Sequence, residues 1–565
     1  MPASTKKSLL EVQFPIGQLS LESYLERKAG TGKMVNSLGK WWGTKPVVLT
    51  RSVILGALFE ASDDSDRWPE DLEVFLKLLC MDNAGMWNRR NDGLKEISSN
   101  PPWPKYVEYC HPHARPDELD LFKDRENDDE EIRWRPRMDE PDLKRREALE
   151  KRVFYTLSHE VQRRYCKRPE QSEGPPPESW VEINAYCGTR SNCLQEWVAE
   201  MSQRRYGRRI KVGDAFSGMG SIPFAAAELG CDVYASDLNP VASLLTWGAL
   251  NIIAGQTEFH SQVLEAQKRI YEEIDRWYLE QGFETSEEGW RATLYFHCVE
   301  ISVPEWDGWR VPLSGTWQLL TASQQAPWVE LIPDEANKRF DFKVNHGGPG
   351  FAGASKGTKE GPDVICPDAL WEILRRQGKT NNATRTIKLN SLIENHDGLR
   401  RWEKSDFSPR ADDFYQERLY AIRWEKPLPK GKKANVFREP LAHDFELEEE
   451  CSRRIQSNLT DWQKNGWIPD WRIQEGAETT RLIRERGWTH WHHLFTPRQL
   501  LMAAEYSRRI ENVSPAIRPS LILALGQITN YNSRLCRWHA GKNSTTEVFY
   551  NQALNTFINL SLIHI

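Results

Sequence analysis

Apolar positions in this chain fall into two spacings, and the change from one to the other marks its elements. Val48, Ile54, Leu55 and Leu58 recur at helical intervals around Arg51. Pro46 stands in the first turn of that helix, where its missing N–H costs nothing. Ile210 and Val212 mark a short buried strand, residues 222–229 a helix, and residues 233–236 a second strand. Val263, Ala266, Ile270, Ile274 and Trp277 predict a long amphipathic helix. Residues 290–345 read as strand-rich, with Tyr295, Phe296, Val299 and Val311 between turn signals. Thr496-Pro497 opens a helix through Leu500, Leu501, Ala504 and Tyr506.

The stretches between are polar. Residues 63–178 read as irregular, with an acidic run over 117–131 expected to be a solvated face and Gly174-Pro175-Pro176-Pro177 closing the segment. Residues 346–362 are glycine-dense and predict a mobile loop, and 426–433 form a basic loop. No internal repeat is present. The expected organisation is an N-terminal domain over 1–62, an inserted irregular or helical region and linker over 63–180, a cofactor-binding half over 181–289, a second insertion over 290–480, and a helical segment over 481–565.

Length and charge narrow the classes. At 565 residues the chain exceeds one ordinary core. A net charge of −6 supplies no global basic field, so any nucleic-acid contact must come from local patches. No run of about 18 apolar residues reads as a membrane span, and no apolar leader follows Lys6 and Lys7. The 10 scattered cysteines fit a reducing, cytoplasmic setting. Most of the 24 tryptophans are expected in cores, with a few left to stack on bases.

Residues 210–240 carry the chemistry. A strand ends at Asp214, Phe216-Ser217-Gly218-Met219-Gly220 turns the chain, a helix follows, and Asp237 lies at the tip of the next strand. Gly218 and Gly220 accept positive φ and let a ligand approach the backbone. An acid about 20 positions after such glycines is placed to accept hydrogen bonds from ribose hydroxyls. Pro223 stands where a dinucleotide fingerprint has its third glycine, and Asp214 precedes the turn. A pyrophosphate meets that carboxylate unfavourably, whereas a cationic methionine moiety does not. These details favour S-adenosylmethionine over a dinucleotide or a purely structural turn.

Asp214-Ala215-Phe216-Ser217-Gly218-Met219-Gly220 resembles the Asp-Pro-Phe-x-Gly-x-Gly motif of amino-directed DNA methyltransferases, with Ala215 in place of the proline. The wider chain resembles large adenine-specific DNA methyltransferase-like proteins that carry an N-terminal domain of unknown function, some encoded near phage-defence genes. The resemblance rests on Lys7-Ser8-Leu9-Leu10-Glu11-Val12, Trp41-Trp42-Gly43-Thr44-Lys45-Pro46, residues 418–424, residues 493–500 and residues 531–538. It implies an α/β Rossmann-like, S-adenosylmethionine-dependent core, incomplete here, with large α+β insertions. It also implies that Asp214, Phe216, Gly218 and Gly220 surround the methionine part, that Asp237 holds the ribose, and that Asn239 with Pro240 flanks the adenine. Lys45-Pro46-Val47-Val48-Leu49 resembles a helix start that packs beside the cofactor, with simple packing as the alternative.

Such enzymes need a polar-Pro-Pro-aromatic loop whose first side chain and a carbonyl accept from the target amino group while the ring stacks on the extruded base. In the family it lies beyond the stretch that resembles residues 549–560. The chain ends first, and residues 561–565 resemble translated adapter sequence, so a truncated record is expected and the fragment alone is expected to be inactive. The literal match Asn100-Pro101-Pro102-Trp103 follows no apolar strand and reads as a surface loop. No catalytic residue is assigned.

Cys298 and Cys366 lack the companions a zinc ribbon needs, and Cys536 with His539 forms a lone pair, so no metal is expected. Arg204, Arg205, Arg208, Arg209 and Lys211 read as a solvated surface, with phosphate contact as the alternative. Arg534, Arg537, His539 and Lys542 interleave with Tyr531 and Trp538 as a candidate DNA surface or an ordinary one. The reading is an S-adenosylmethionine-dependent DNA methyltransferase acting on adenine amino groups, possible in phage defence, with DNA and defence proteins as partners. The alternatives are a methyltransferase acting on RNA or protein, and a non-catalytic nucleic-acid-binding component of a defence complex.

Overall fold

A computed structural model describes residues 6–27, 38, 39, 41, 43–97, 104–123, 131–253, 255–286, 288–323, 325–381, 383–550, 553, 554 and 560–562. Trp42 and Asn100-Pro101-Pro102-Trp103 lie outside these residues. The chain is a mixed α/β protein that divides into two compact units, Met1–Thr257 and Glu258–Ile565. No described helix is long and apolar enough to cross a membrane.

In the first unit, helices α1 (Ile16–Arg27), α2 (Val47–Leu58) and α3 (Trp68–Leu78) precede a helical region containing α4 (Glu140–Phe154). Then come α5 (Pro177–Cys187), α6 (Leu194–Tyr206), strand β1 (Lys211–Asp214), α7 (Ser221–Glu228), β2 (Asp232–Ala235) and α8 (Pro240–Gly248). One apolar core joins Leu9, Leu55, Phe59, Phe75, Ile183, Trp197 and Ala226, and Val212 and Val233 pack against it. It therefore runs through the expected boundaries at 62/63 and 180/181. Ser8 and Glu11 help fix the chain start: the Ser8 amide and hydroxyl both donate to Glu11 Oε2 at 2.7 Å, while Leu9 is fully buried. Such a reciprocal cap satisfies donors that a helix start leaves unpaired.

Residues 63–178 hold helices and a second core, built on Trp87, Tyr106, Leu121, Leu149, Phe154 and Tyr165. Of the irregular and helical readings, the helical one describes these residues, and many of their charges partner one another. Glu118, within the acidic run, accepts from Arg152 at 2.6 and 2.9 Å, and Arg152 holds its carboxyl down to about 2. Asp120 accepts from Arg145 at 2.7 Å. Only part of that run can be compared, because residues 124–130 are not described.

The second unit opens in α9 (Thr257–Gln281), whose Ala266, Ile270, Ile274 and Tyr278 enter a helical core. Its antiparallel sheet centres on β3 (Arg291–Val303), paired with β4 (Trp309–Leu313) and with a long strand, β5 (Gln416–Pro427), which in turn pairs β6 (Lys433–Arg438). Helices α10 (Ala442–Lys464), α11 (Thr479–Arg486), α12 (Pro497–Ile510) and α13 (Arg518–Tyr531) follow. α12 begins at Pro497 with Thr496 as its cap, as the sequence predicts. The glycine-dense stretch 346–362 contains the short helix Gly350–Gly353 and the strand Lys359–Glu360. Gly357 is needed there because the Ser314 carbonyl leaves no room for a Cβ.

Three stretches that carry the family resemblance converge inside this unit. Arg534 is fully buried, and its guanidinium donates to Glu417 at 2.6 and 2.8 Å, to the His493 carbonyl at 2.8 Å and to the Phe407 carbonyl at 3.0 Å. Arg498, also buried, donates to Glu448 at 2.7 Å and to the Phe283 carbonyl at 2.9 Å, with its guanidinium 4.1 Å from the Tyr295 ring centre. Burial alone would raise the Glu448 carboxyl, yet Arg498 and His297 outweigh it and hold it down to about 2. Arg534 is thus a structural pin. The sequence reading of Arg534 as part of a DNA surface is corrected: water and phosphate do not reach it. Trp538 is likewise engaged, donating to the Leu319 carbonyl at 2.6 Å and meeting Phe296 edge-on at 5.1 Å.

Removing one partner of a buried ion pair leaves the other charge uncompensated. Arg534→Ala should therefore destabilise the protein by about 3–5 kcal/mol. Chemical unfolding of the full chain measures this, and an unchanged midpoint would contradict the pin.

Candidate functional site

β1 and β2 are parallel, with Lys211 opposite Asp232, Val212 opposite Val233, Gly213 opposite Tyr234 and Asp214 opposite Ala235. α7 connects them and carries buried Phe224, Ala225 and Ala226. The ladder continues beyond the strands: Ser236 N donates to the Asp214 carbonyl at 2.9 Å, and Ser217 N donates to the Ser236 carbonyl at 3.1 Å. This extension brings Asp214 and Asp237, far apart in sequence, to the same carboxyl edge. Ligands bind at such edges in open α/β sheets.

Asp237 is tied into the turn from both sides. Its Oδ2 accepts from the Gly218 amide at 2.8 Å and its Oδ1 accepts from the Asn239 amide at 2.9 Å. These two amides, Asn239 first, hold its carboxyl below the usual range. A carboxylate has about four acceptor positions, so capacity for two hydroxyl donors remains. Asp214 Oδ1 accepts from the Phe216 amide at 3.1 Å. The Asn239 side-chain carbonyl accepts from Val241 N at 2.9 Å and caps α8, which leaves its NH₂ group to face outward chemistry.

The glycines differ in purpose. Gly218 has φ +54°, and a Cβ there would lie 3.0 Å from the Trp41 indole. Gly220 has φ +85°, and its Cβ would lie 2.9 Å from the Thr246 backbone. Thr246 Oγ1 also donates to Ser217 Oγ at 2.9 Å and to the Gly218 carbonyl at 3.2 Å. Gly220 thus allows α8 to pack on the turn, whereas Gly218 admits an aromatic ring over it. Trp41 enters the sequence reading only as part of the family-like opening, and Thr246 does not enter it at all. Gly43 turns the chain at φ +72° beside Trp41, and Thr44 Oγ1 lies 3.7 Å from Met219 Sδ. Val47 shares a small core with Met219, Phe224 and Ala249. The segment starting at Lys45-Pro46 therefore packs beside the glycine turn, which fits simple packing as well as a place beside a cofactor.

All six expected site residues, Asp214, Phe216, Gly218, Gly220, Asp237 and Asn239, fall in one turn-and-edge region. Phe216 is 87% exposed and Leu238 98% exposed, so two large apolar side chains flank the acids with nothing packed on them. One sheet face is open as well: Val212 and Val233 meet the core, while Lys211, Gly213 and Tyr234 face solvent. Among the described residues β1 pairs only with β2.

The basic cluster before β1 is largely used locally. Arg204 donates to the carbonyls of Cys187 and Gly188, the latter at 2.8 Å, and Arg209 donates to the Gly230 carbonyl at 2.7 Å. Cys298, Cys366 and Cys536 are buried, and burial pushes the Cys366 thiol up to about 12. No group of three or more metal-ligating side chains gathers among the described residues.

A family described as "Protein of unknown function (DUF1156)" matches residues 13–78, the segment spanning α1, α2 and α3. No curated protein and no solved structure shows significant similarity to the chain.

Steric contact with backbone cannot relax as contact with a side chain can. Gly220→Ala should therefore cost about 2–4 kcal/mol, and Gly218→Ala about 1–2 kcal/mol. Paired thermal unfolding tests the ranking, and a reversed order would contradict the packing of α8 on the turn.

Proposed function

We propose that the first unit holds S-adenosylmethionine in the opening strand–helix–strand of a Rossmann-like core, and that the chain belongs to a DNA methyltransferase directed at adenine amino groups. The observation that carries this reading is the pairing of Asp214 and Asp237 at one sheet edge with the positive-φ turn between them. The target base and a role in phage defence rest on the family resemblance alone.

The residues fit this cofactor in three respects. Asp237, anchored by two amides, retains acceptor positions for both ribose hydroxyls. Asp214 presents negative charge beside the turn, which suits a sulfonium or ammonium group and disfavours pyrophosphate. Phe216 and Leu238 offer exposed apolar surface for a flat ring, with the Asn239 amide close by in sequence. When bound, the cofactor supplies an electrophilic methyl group. The chain's own part is to fix its ribose and cationic portion and to exclude water with Phe216 and Leu238. The open face of β1 and β2 and the free edge of β1 are where a fuller sheet would continue, since parallel sheets are ordinarily covered on both faces.

Titration calorimetry with S-adenosylmethionine tests the site. Charged-acceptor hydrogen bonds are worth about 1.5–3 kcal/mol each, so Asp237→Ala should weaken binding by about tenfold or more. Equal affinity in wild type and variant would refute the assignment. Methyl transfer by a longer protein carrying the polar-Pro-Pro-aromatic loop, to adenine-containing DNA, RNA and protein, then separates the substrate classes.

A further inference from the structure

The second unit displays an aromatic and cationic surface that none of the preceding assignments uses. The Ile473 amide donates to the Thr489 carbonyl at 2.8 Å, and the Trp491 amide donates to the Trp471 carbonyl at 3.1 Å. These bonds flank the antiparallel bridge between Arg472 and His490, so Trp471 and Trp491 stand directly opposite one another on adjacent strands. They are the two most exposed tryptophans among the described residues, at 76% and 36%. Indole rings are large apolar surfaces, and other tryptophans of this unit, such as Trp402 and Trp488, are buried just beneath in the core that also holds Ile473.

Beside Trp471 lies a cleft of about 460 Å³ with Ile473 and Ile483 in its lining, together with Arg401, Arg472 and Glu475. The volume lies in the range of small-ligand pockets. Arg401 and Arg472 are exposed, and neither guanidinium has a hydrogen-bonded or ion-paired partner among the described residues. This contrasts with nearby Arg400, whose guanidinium binds both Asp406 and Asp413 at 2.6 Å. Glu475 is the one carboxylate in the lining, so the cleft carries an excess of one positive charge.

We propose that this surface binds an unstacked nucleotide segment of single-stranded DNA, with a base stacked on Trp471 and phosphates on Arg401 and Arg472. The choice of nucleic acid as partner deepens the methyltransferase reading and rests on it. The physical case is the combination itself: an exposed indole offers a π-face to any base, and free guanidinia match phosphate oxygens. Glu475 accepts from exocyclic amino groups, a role acidic side chains play toward cytosine. An apolar peptide would leave both arginines without partners, and duplex DNA keeps its bases inside the stack, away from an indole face.

Fluorescence anisotropy of the full chain with a labelled single-stranded oligonucleotide, and with the same sequence as a duplex, tests the proposal. Trp471→Ala should weaken single-strand binding about tenfold, and Trp471→Phe should restore part of it. The Arg401→Ala, Arg472→Ala double variant should reduce the salt slope by about 1.4, from two lost phosphate contacts on a single strand. Single-strand affinity unchanged by Trp471→Ala, or binding confined to duplex, would overturn it. S-adenosylmethionine affinity of the same variants keeps the two readings distinguishable. It should remain at the wild-type value even where DNA binding is lost, and failure of the cofactor site alone leaves the DNA result standing.

Discussion

The hydrogen bond from the Gly218 amide to the Asp237 carboxylate, 2.8 Å long, ties the end of the second strand to the turn that follows the first. It adds to the ladder bonds from Ser236 N to the Asp214 carbonyl and from Ser217 N to the Ser236 carbonyl, which already hold Asp214 and Asp237 at one edge. With it, the glycine turn, both acids and the start of α8 form one piece, closed on the other side by Thr246 against Gly220. The cost of holding two glycines at positive φ is met by this packing, since any Cβ at Gly220 would meet backbone. The arrangement places acceptors outward at the sheet edge while the apolar side of β1 and β2 turns inward.

The N-terminal segment is part of this architecture. Trp41 lies over Gly218, Thr44 approaches Met219, and α2 contributes to the same core as β1 and β2. The family match over residues 13–78 thus covers helices that back the strand–helix–strand unit. In the second unit buried ion pairs serve a different end. Arg418 is held by Glu300 across β3 and β5, Arg498 by Glu448 across α12 and α10, and Arg534, just after α13, by Glu417 of β5.

Sequence periodicity located β1, α7, β2, α9 and α12, although β1 and β2 are half-exposed rather than buried, with only Val212 and Val233 turned to the core. Residues 63–178, open between an irregular and a helical reading, hold helices and a core of their own, and pairings of distant charges such as Glu118 with Arg152 leave no periodic trace. Arg534 was read as a nucleic-acid contact for the same reason: an arginine beside aromatics looks alike whether it faces phosphate or Glu417. Within the candidate site, the acids and glycines are legible from spacing, while the contacts of Trp41 and Thr246 with the turn are not, since they depend on how separate segments meet. Trp471 and Trp491 escaped notice because their adjacency arises only when residues 471–473 pair with residues 489–491.

Hydrogen–deuterium exchange resolved by peptide, with and without S-adenosylmethionine, probes the central claim most directly. The account predicts slower exchange in the peptide spanning residues 214–220 and in that spanning 237–241, with the rest of the first unit unchanged. Cofactor that leaves both peptides exchanging as before, or that protects some other region instead, would contradict it.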